Sequence, residues 1–305
     1  MLKLIVLGSG SAGNCAVVCT GTSRLLIDAG LSASRILERL AVAGVAPDTL
    51  SGIFITHEHG DHCRGLDVLT RRHPLPILCN AHTREVLKDS LRPDKYWHLI
   101  PSSGAFAFAG MELETFPVPH DAADPVGLVL RHGDAALGLL SDVGHANAIM
   151  RQKLRDIDTL FIEANYDNNL LALDQKRPWS TKQRIQGRHG HLSNDQTATL
   201  VAEILTPRLE RVVLGHLSQD CNSPDLATTA VMAVLTALER ADIHVACAPA
   251  HEPTPWFPVR LCRPAPTVPL CFPASVPSVP APAPPRPPAQ SVTPSMARWQ
   301  QLELL

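Results

Sequence analysis

The chain has 305 residues, 45% hydrophobic and 18% charged, a balance that suits a soluble globular protein of one large domain or two small ones. A formal net charge of −2 with histidine neutral argues against a strongly basic nucleic-acid binder but leaves room for a locally basic surface. Eight scattered cysteines, none in a CxxC pair, argue against a zinc knot or a disulfide framework and read as free thiols of a reducing cytoplasm.

The opening Met1-Leu-Lys-Leu-Ile-Val-Leu7 stops at Gly8-Ser-Gly-Ser-Ala-Gly13, so it reads as a first strand with a Gly-rich turn rather than a signal peptide. No stretch reaches the ~18 apolar residues a membrane span needs, and the expected location is the cytoplasm, with no membrane partner. Short apolar runs predict strands over 2–7, 16–19, 24–27, 52–56, 77–78, 111–118, 127–131, 136–140, 159–163, 211–215 and 244–248. Helical patterns predict helices over 34–44, 62–72, 83–90, 194–206 and 225–239. Ser193-Asn-Asp-Gln196 has capping-box spacing, and Ser223-Pro224 offers an N-cap with Pro at N1. Runs of strands with interspersed helices predict an α/β (α+β) fold in which two sheets pack together with helices outside, an αββα four-layer sandwich. Beyond about residue 260 the chain becomes Pro-rich, densest in Ala281-Pro-Ala-Pro-Pro-Arg-Pro-Pro288. Proline at that density removes backbone donors and blocks helix and central strand. The expected organisation is therefore a hydrolase domain over 1–259 and a disordered or polyproline-like tail over 260–305, whose partner is unknown.

Chemistry concentrates at His57-Glu-His-Gly-Asp-His62, directly after the strand 52–56. Three histidines and an aspartate in six residues arise by chance at about 10⁻⁵ per start position. Imidazole and carboxylate suit Zn²⁺, with Mn²⁺ or Fe as alternatives. Four such ligands on one tetrahedral ion would leave no open position, so they fit better shared between two ions. Gly60 allows the tight turn that convergence requires.

His57-x-His59-x-Asp61-His62 resembles the signature of the metallo-β-lactamase superfamily, and further segments resemble its other motifs in order. Asp28, in Leu26-Ile-Asp-Ala-Gly30, resembles the early Asp that supports the metal loop. His120, in Pro117-Val-Pro-His120, resembles the third histidine of the first site; Asp142, in Leu139-Leu-Ser-Asp142, the bridging carboxylate; and His216, in Leu214-Gly-His216, the last histidine. The resemblance covers about residues 1–259. It implies the metallo-β-lactamase fold and two divalent ions. His57, His59 and His120 would hold one, Asp61, His62 and His216 the other, and Asp142 would bridge, with a shared hydroxide as nucleophile.

Fold does not choose among β-lactam, thioester, lactone and phosphodiester substrates. Gly190-His191-Leu-Ser193-Asn194 and Phe161-Ile-Glu163-Ala164 resemble the extra histidine and Glu-Ala motifs of ribonuclease Z-like nucleases. That resemblance makes His191, oriented by Glu163, a donor to the scissile phosphate or leaving oxygen, with Asp61 in the catalytic set. A helix N-terminus at Ser193 and Asn194 would add backbone donors for an anion. Lys176, Arg177, Lys182, Arg184 and Arg188 surround Trp179 in the segment before His191, and such a basic loop with one aromatic suits a nucleic-acid strand as well as it suits a solvated face. Lys182, Arg184 and Arg188 are the candidate substrate contacts. Together with Gly8-Ser-Gly-Ser-Ala-Gly-Asn14, Glu163-Ala-Asn-Tyr-Asp167 and His216-Leu-Ser218, these segments are most similar to the YycJ (WalJ)-like group. That similarity implies a DNA/RNA exonuclease-type phosphodiesterase, acting on nucleic acid or a small phosphodiester, and suggests a homodimer. The alternative is a thioester or lactone hydrolase with the same dinuclear centre.

Overall fold

Alternation along the strands divides their apolar residues between two faces, and both faces are buried. In the computed structural model, which describes residues 1–92 and 95–261, the fourteen strands among those residues form two seven-stranded sheets. The first has the order β14(Phe257–Pro258), β1(Lys3–Gly8), β2(Cys15–Cys19), β3(Arg24–Ile27), β4(Gly52–Phe54), β5(Ile77–Cys79) and β6(Trp97–Leu99). The second has β13(His244–Cys247), β12(Arg211–Gly215), β11(Thr159–Glu163), β10(Ala135–Leu140), β9(Val126–His132), β8(Met111–Pro117) and β7(Gly104–Phe108).

Leu4, Val6, Leu25 and Ile27 of the first sheet meet Leu128, Leu137, Phe161 and Val213 of the second in one core between the sheets. Their neighbours point outward. Ile5, Leu7 and Leu26 pack on α1(Ala33–Val42), α3(Leu66–Arg72) and α4(Ala81–Leu87). Val129, Leu140, Ile162 and Leu214 pack on α5(Ala148–Lys153), α8(Asn194–Glu203) and α9(Pro224–Ala237). Three cores between four layers make the expected αββα sandwich, and burial on both faces explains why the central strands read as unbroken apolar runs. Among the described residues no helix is long and apolar enough to cross a membrane. The six described cysteines are free. Apart from Arg260 and Leu261, the expected tail lies outside the described residues.

Several elements depart from expectation. The helix over 62–72 is two pieces, α2(Gly60–Cys63) and α3. At the break, Gly65 N donates sideways to Ala29 O at 2.8 Å, and a Cβ on Gly65 would stand 2.3 Å from Leu31 O. The close pass against the 29–31 segment thus overrides helical continuity. β6, β7, β14 and the helices α5, α6(Asn168–Leu173) and α7(Trp179–Gln186) were not predicted. They are short, or, like α7, mostly polar, and carry too little periodicity to register. The expected caps are present: Ser193 and Gln196 complete a capping box, and Ser223 caps α9.

β3, β4, β5 and β6 run parallel, as do β10, β11, β12 and β13. Crossover connections therefore bring several strand C-termini to one edge of each sheet, where ligand sites of α/β sheets form. The loops there are fitted backbone to backbone. A Cβ on Gly30 would lie 1.6 Å from Asp61 O, so Gly30→Ala must push the 57–62 loop away. We expect a loss of about 1–3 kcal/mol or more from this overpacking, read as a lowered thermal midpoint. An unchanged melt would show that the loop yields freely.

Candidate metal centre

Most residues of the centre sit just past, or at the end of, a strand, while Asp61 and His62 lie in α2 and His191 follows α7. Asp28 follows β3, His57 and His59 follow β4, His120 follows β8, Asp142 follows β10, Glu163 ends β11 and His216 follows β12. Three of them turn sharply off their strands at positive φ: Asp28 at 59°, Asp142 at 56° and His216 at 52°. Such backbone is costly for residues other than glycine and persists where the surroundings enforce it. Here hydrogen bonds do so. Thr56 N donates to Asp28 Oδ1 at 2.9 Å, Val143 N to Glu163 Oε1 at 2.5 Å, and His216 N to Ser9 Oγ at 2.7 Å.

The seven expected ligands converge in two groups. Donor atoms of His57, His59 and His120 lie within 4.8 Å of one another, and so do those of Asp61, His62, Asp142 and His216. Asp142 faces both sides. Its Oδ2 is 2.8 Å from His62 Nε2 and 3.4 Å from His216 Nδ1, while Oδ1 is 3.5 Å from His191 Nδ1 and 3.8 Å from His120 Nε2. A third overlapping group joins His120, Asp142 and His191.

Outer contacts aim the rings. His62 Nδ1 stands 2.8 Å from Asp28 Oδ2, which fixes Nδ1 as the protonated nitrogen and turns Nε2 inward. His120 Nδ1 donates to Gly190 O at 3.0 Å with the same effect. Burial, against the pull of Asp142, holds His120 below the usual histidine range. Burial, reinforced by the neighbouring His62, pushes His57 well below it. Both rings are thus in the neutral form that binds metals. His57 Nε2 is buried with no hydrogen-bond partner among the described residues, a cost a protein rarely leaves in place without a reason. That orphaned nitrogen, five imidazoles and two carboxylates fit a pair of divalent cations.

Glu163 is fully buried. Its Oε2 lies 3.0 Å from His191 Nδ1, and its Oε1 accepts from Leu192 N at 3.0 Å as well as from Val143 N. One carboxylate therefore orients His191 and braces the turn that carries Asp142. Burial opposes a charge on His191, but the Glu163 carboxylate, its hydrogen bond and Asp142 outweigh it and lift the imidazole to about 9. With Nδ1 turned to Glu163, Nε2 is left as the outward nitrogen.

The expected substrate contacts divide. Arg184 and Arg188 stand exposed at the rim, Arg184 Nε 2.6 Å from Asp121 Oδ2 and Arg188 Nη2 3.2 Å from His145 Nε2. Lys182, by contrast, is buried, and its Nζ donates to Ala172 O at 2.9 Å, tying α7 to α6. Ser193 and Asn194 are buried too. Ser193 Oγ is the helix cap, and the Asn194 side chain pairs with Asn222. Gln196, Tyr166 and Ser193 take up the N–H groups of Ser193, Asn194 and Gln196 respectively. These donors hold α8 in place and are not presented to an anion, which corrects the expectation for all three residues.

Sequence reasoning missed Asn14 and Thr56. Asn14 Nδ2 is 3.0 Å from His62 Nε2 and 3.3 Å from Asp61 Oδ2, and its Oδ1 accepts from Ser9 Oγ and Gly10 N. The Gly-rich turn is thus a brace under Asp61 and His62, with Asn14 as its working residue. Thr56 Oγ1 bonds the Asp28 carboxylate at 3.0 and 3.1 Å and approaches His57 Nδ1 at 3.0 Å. The turn motif itself was the available signal for Asn14; nothing in the sequence distinguishes Thr56.

Residues 23–217 match the model of the Beta-lactamase superfamily domain. Among curated proteins, the chain is 34% identical over 236 residues to Exodeoxyribonuclease YycJ of Bacillus anthracis, covering 77% of this chain and 89% of that one. It is 34% identical over 247 residues to Exodeoxyribonuclease WalJ of Streptococcus pneumoniae, covering 80% and 90%. Among solved structures, the metallo-β-lactamase fold protein YhfI of Bacillus subtilis aligns with a TM-score of 0.63 at 14% identity, over 83% of this chain and 99% of that one.

Proposed function

The chain belongs to the metallo-β-lactamase superfamily of hydrolases, and on that premise we propose that it is a two-metal phosphodiesterase of exonuclease type, acting on nucleic acid. The observation that carries this reading is the Glu163–His191 pair. An imidazole beyond the seven ligands touches the carboxylate between the two groups, Nδ1 at 3.5 Å from Asp142 Oδ1, and is held there by a buried glutamate. The names of YycJ and WalJ, both exodeoxyribonucleases, support the same class.

His57, His59 and His120 would hold one cation, Asp61, His62 and His216 the other, and Asp142 both; Zn²⁺ suits this donor set best, with Mn²⁺ second. When bound, such a pair of ions offsets charge on phosphate oxygens and lowers the pKa of a water held at the site. The chain's own groups do the rest. Water oxygen forms a bond to phosphorus as one of its protons is lost to solvent, the bond from phosphorus to the leaving oxygen breaks, and the proton on His191 Nε2 passes to that oxygen; His191 regains a proton from solvent after the product leaves. Glu163 keeps Nε2 directed outward and offsets the positive charge of the ring before transfer. An alkoxide is a poor leaving group, so this proton matters for a nucleotide and far less for a thiolate. That contrast favours a phosphodiester over a thioester.

The test is a side-by-side assay of the Zn²⁺- and Mn²⁺-loaded enzyme on 5′-labelled DNA and RNA, bis(p-nitrophenyl) phosphate, a thioester and a lactone. Nucleic acid and the phosphodiester should be cleaved in preference. Faster turnover of the thioester or lactone would overturn the reading.

A further inference from the structure

Glu58 stands between two candidate ligands in His57-Glu-His59 and belongs to none of the ligand-spaced groups. Its carboxylate reaches instead the turn that follows His120. Glu58 Oε1 accepts from Ala123 N at 2.7 Å. Oε2 is buried and has no hydrogen-bond partner among the described residues. A buried carboxylate oxygen left unpaired is costly, and a side chain with no task at Ala123 would avoid that cost by turning to water.

The turn it reaches, residues 121–124, has little packing of its own. Ala122 and Ala123 bring only methyl groups, and Asp121 and Ala123 are exposed. Its ends are fastened. Asp121 N donates to His189 O at 3.1 Å, Asp124 O accepts from Asn80 Nδ2 at 2.7 Å, and Asp124 Oδ2 accepts from Ser102 Oγ. Its middle hangs on the Glu58 bond. The same turn touches the centre, where His59 Nε2 is 3.2 Å from Asp121 O. A carbonyl can only accept, so Nε2 carries the proton and Nδ1 is the nitrogen left with a lone pair. Nδ1 is 3.3 Å from His120 Nε2, within the group of His57, His59 and His120. His59 is only partly buried, whereas His57 and His120 are buried. Packing therefore does less to fix the His59 ring, and the Asp121 carbonyl does more.

We propose that Glu58 is a positioning residue for the His57, His59 and His120 group. Its bond to Ala123 N sets the 121–124 turn, and Asp121 O of that turn sets the tautomer and direction of His59. Two carboxylates then work from outside the centre. Asp28 aims His62 directly, and Glu58 aims His59 through a few residues of backbone. The proposal rests on the two-cation reading of the centre and is independent of the substrate.

The experiment strips the full chain of metal, reloads it with Zn²⁺ and follows removal of each ion by a chelating dye, beside a thermal melt of the metal-free protein. The parent should release two ions. Glu58→Ala should weaken one of them roughly ten-fold, the low end for a group outside the ligands, and leave the other unchanged. Glu58→Gln keeps an acceptor for Ala123 N and sets its amide nitrogen where the parent already leaves an atom unpaired, so it should recover most of the loss. Glu58→Asp keeps the charge but is one methylene too short to reach Ala123 N, so it should behave like Glu58→Ala. Parent-level affinity for both ions in Glu58→Ala, or equal weakening of both, would overturn the proposal. So would a Glu58→Gln protein as weak as Glu58→Ala, or a Glu58→Asp protein at parent affinity, since either would mark the charge and not the hydrogen bond as the effective property. Should Glu58→Ala melt too low to load, the Gln and Asp variants decide alone. A parent that binds fewer than two ions sinks the two-metal reading itself, whereas a parent with two ions and an unaltered Glu58→Ala sinks the role of Glu58 alone.

Discussion

Replacing His191 with alanine should cut kcat on a nucleotide phosphodiester by roughly 10²–10⁴-fold, the usual contribution of a placed general acid. The bound metal should stay at its parent stoichiometry. The sharper forecast lies in the leaving group. On bis(p-nitrophenyl) phosphate the departing phenolate is stable without a proton, so the same variant should lose far less. Steady-state kinetics on both substrates, with metal analysis of the same preparations, decides the matter. The alternative is concrete, because His191 also forms a ligand-spaced group with His120 and Asp142. If His191→Ala sheds metal and loses activity equally on both substrates, the ring is a ligand and not an acid. Its hydrogen bond to Glu163 at 3.0 Å would then serve to aim a coordinating nitrogen.

The candidate cluster was legible because metal chemistry permits few residue types and the chain sets three histidines and an aspartate within six positions, 57–62. His120, Asp142 and His216 were legible only through resemblance; in isolation each is a polar residue after a strand. The geometry supplies the reason for that placement, since an abrupt turn at positive φ for Asp28, Asp142 and His216 takes the side chain off the pleat and into the space beyond the sheet edge. What the sequence did not disclose was how polar residues near the centre would be shared between structure and substrate. Ser193 and Asn194 carry the same side-chain chemistry whether they cap a helix or face a phosphate, and packing against Tyr166 and Asn222 decides for the cap. Lys182 and Arg184 are two positions apart in a polar helix with little amphipathic signal. Only the position of α6 beneath it turns Lys182 inward and leaves Arg184 out. Helix α3 carries the same lesson for the backbone, because a tertiary contact at Gly65 splits a segment that reads as one helix.

Asp142→Asn should be the most damaging conservative change in the chain. The substitution keeps the shape of the side chain, and asparagine tolerates the left-handed backbone at φ 56° about as well as aspartate does. The fold should therefore survive, and the effect should come from charge. Asp142 is 2% exposed, and its two oxygens face four imidazoles, His62 and His216 on one side and His120 and His191 on the other. Burial raises the cost of its charge, but His216 and His62 outweigh that and hold the carboxyl well below the usual carboxylate range. Exchanging one oxygen for an amide removes the anion that lies between the two candidate groups and places N–H donors where a cation would sit. The loss of several kcal/mol of charge stabilisation corresponds to roughly 10³-fold in rate or more, and at least one of the two ions should be lost from the purified protein. Circular dichroism and a thermal melt, run beside metal analysis and turnover, separate this from unfolding. A folded Asp142→Asn protein that retains two ions and parent-level turnover would mean that the carboxylate does not join the two groups, and the division of ligands drawn from it would have to be abandoned.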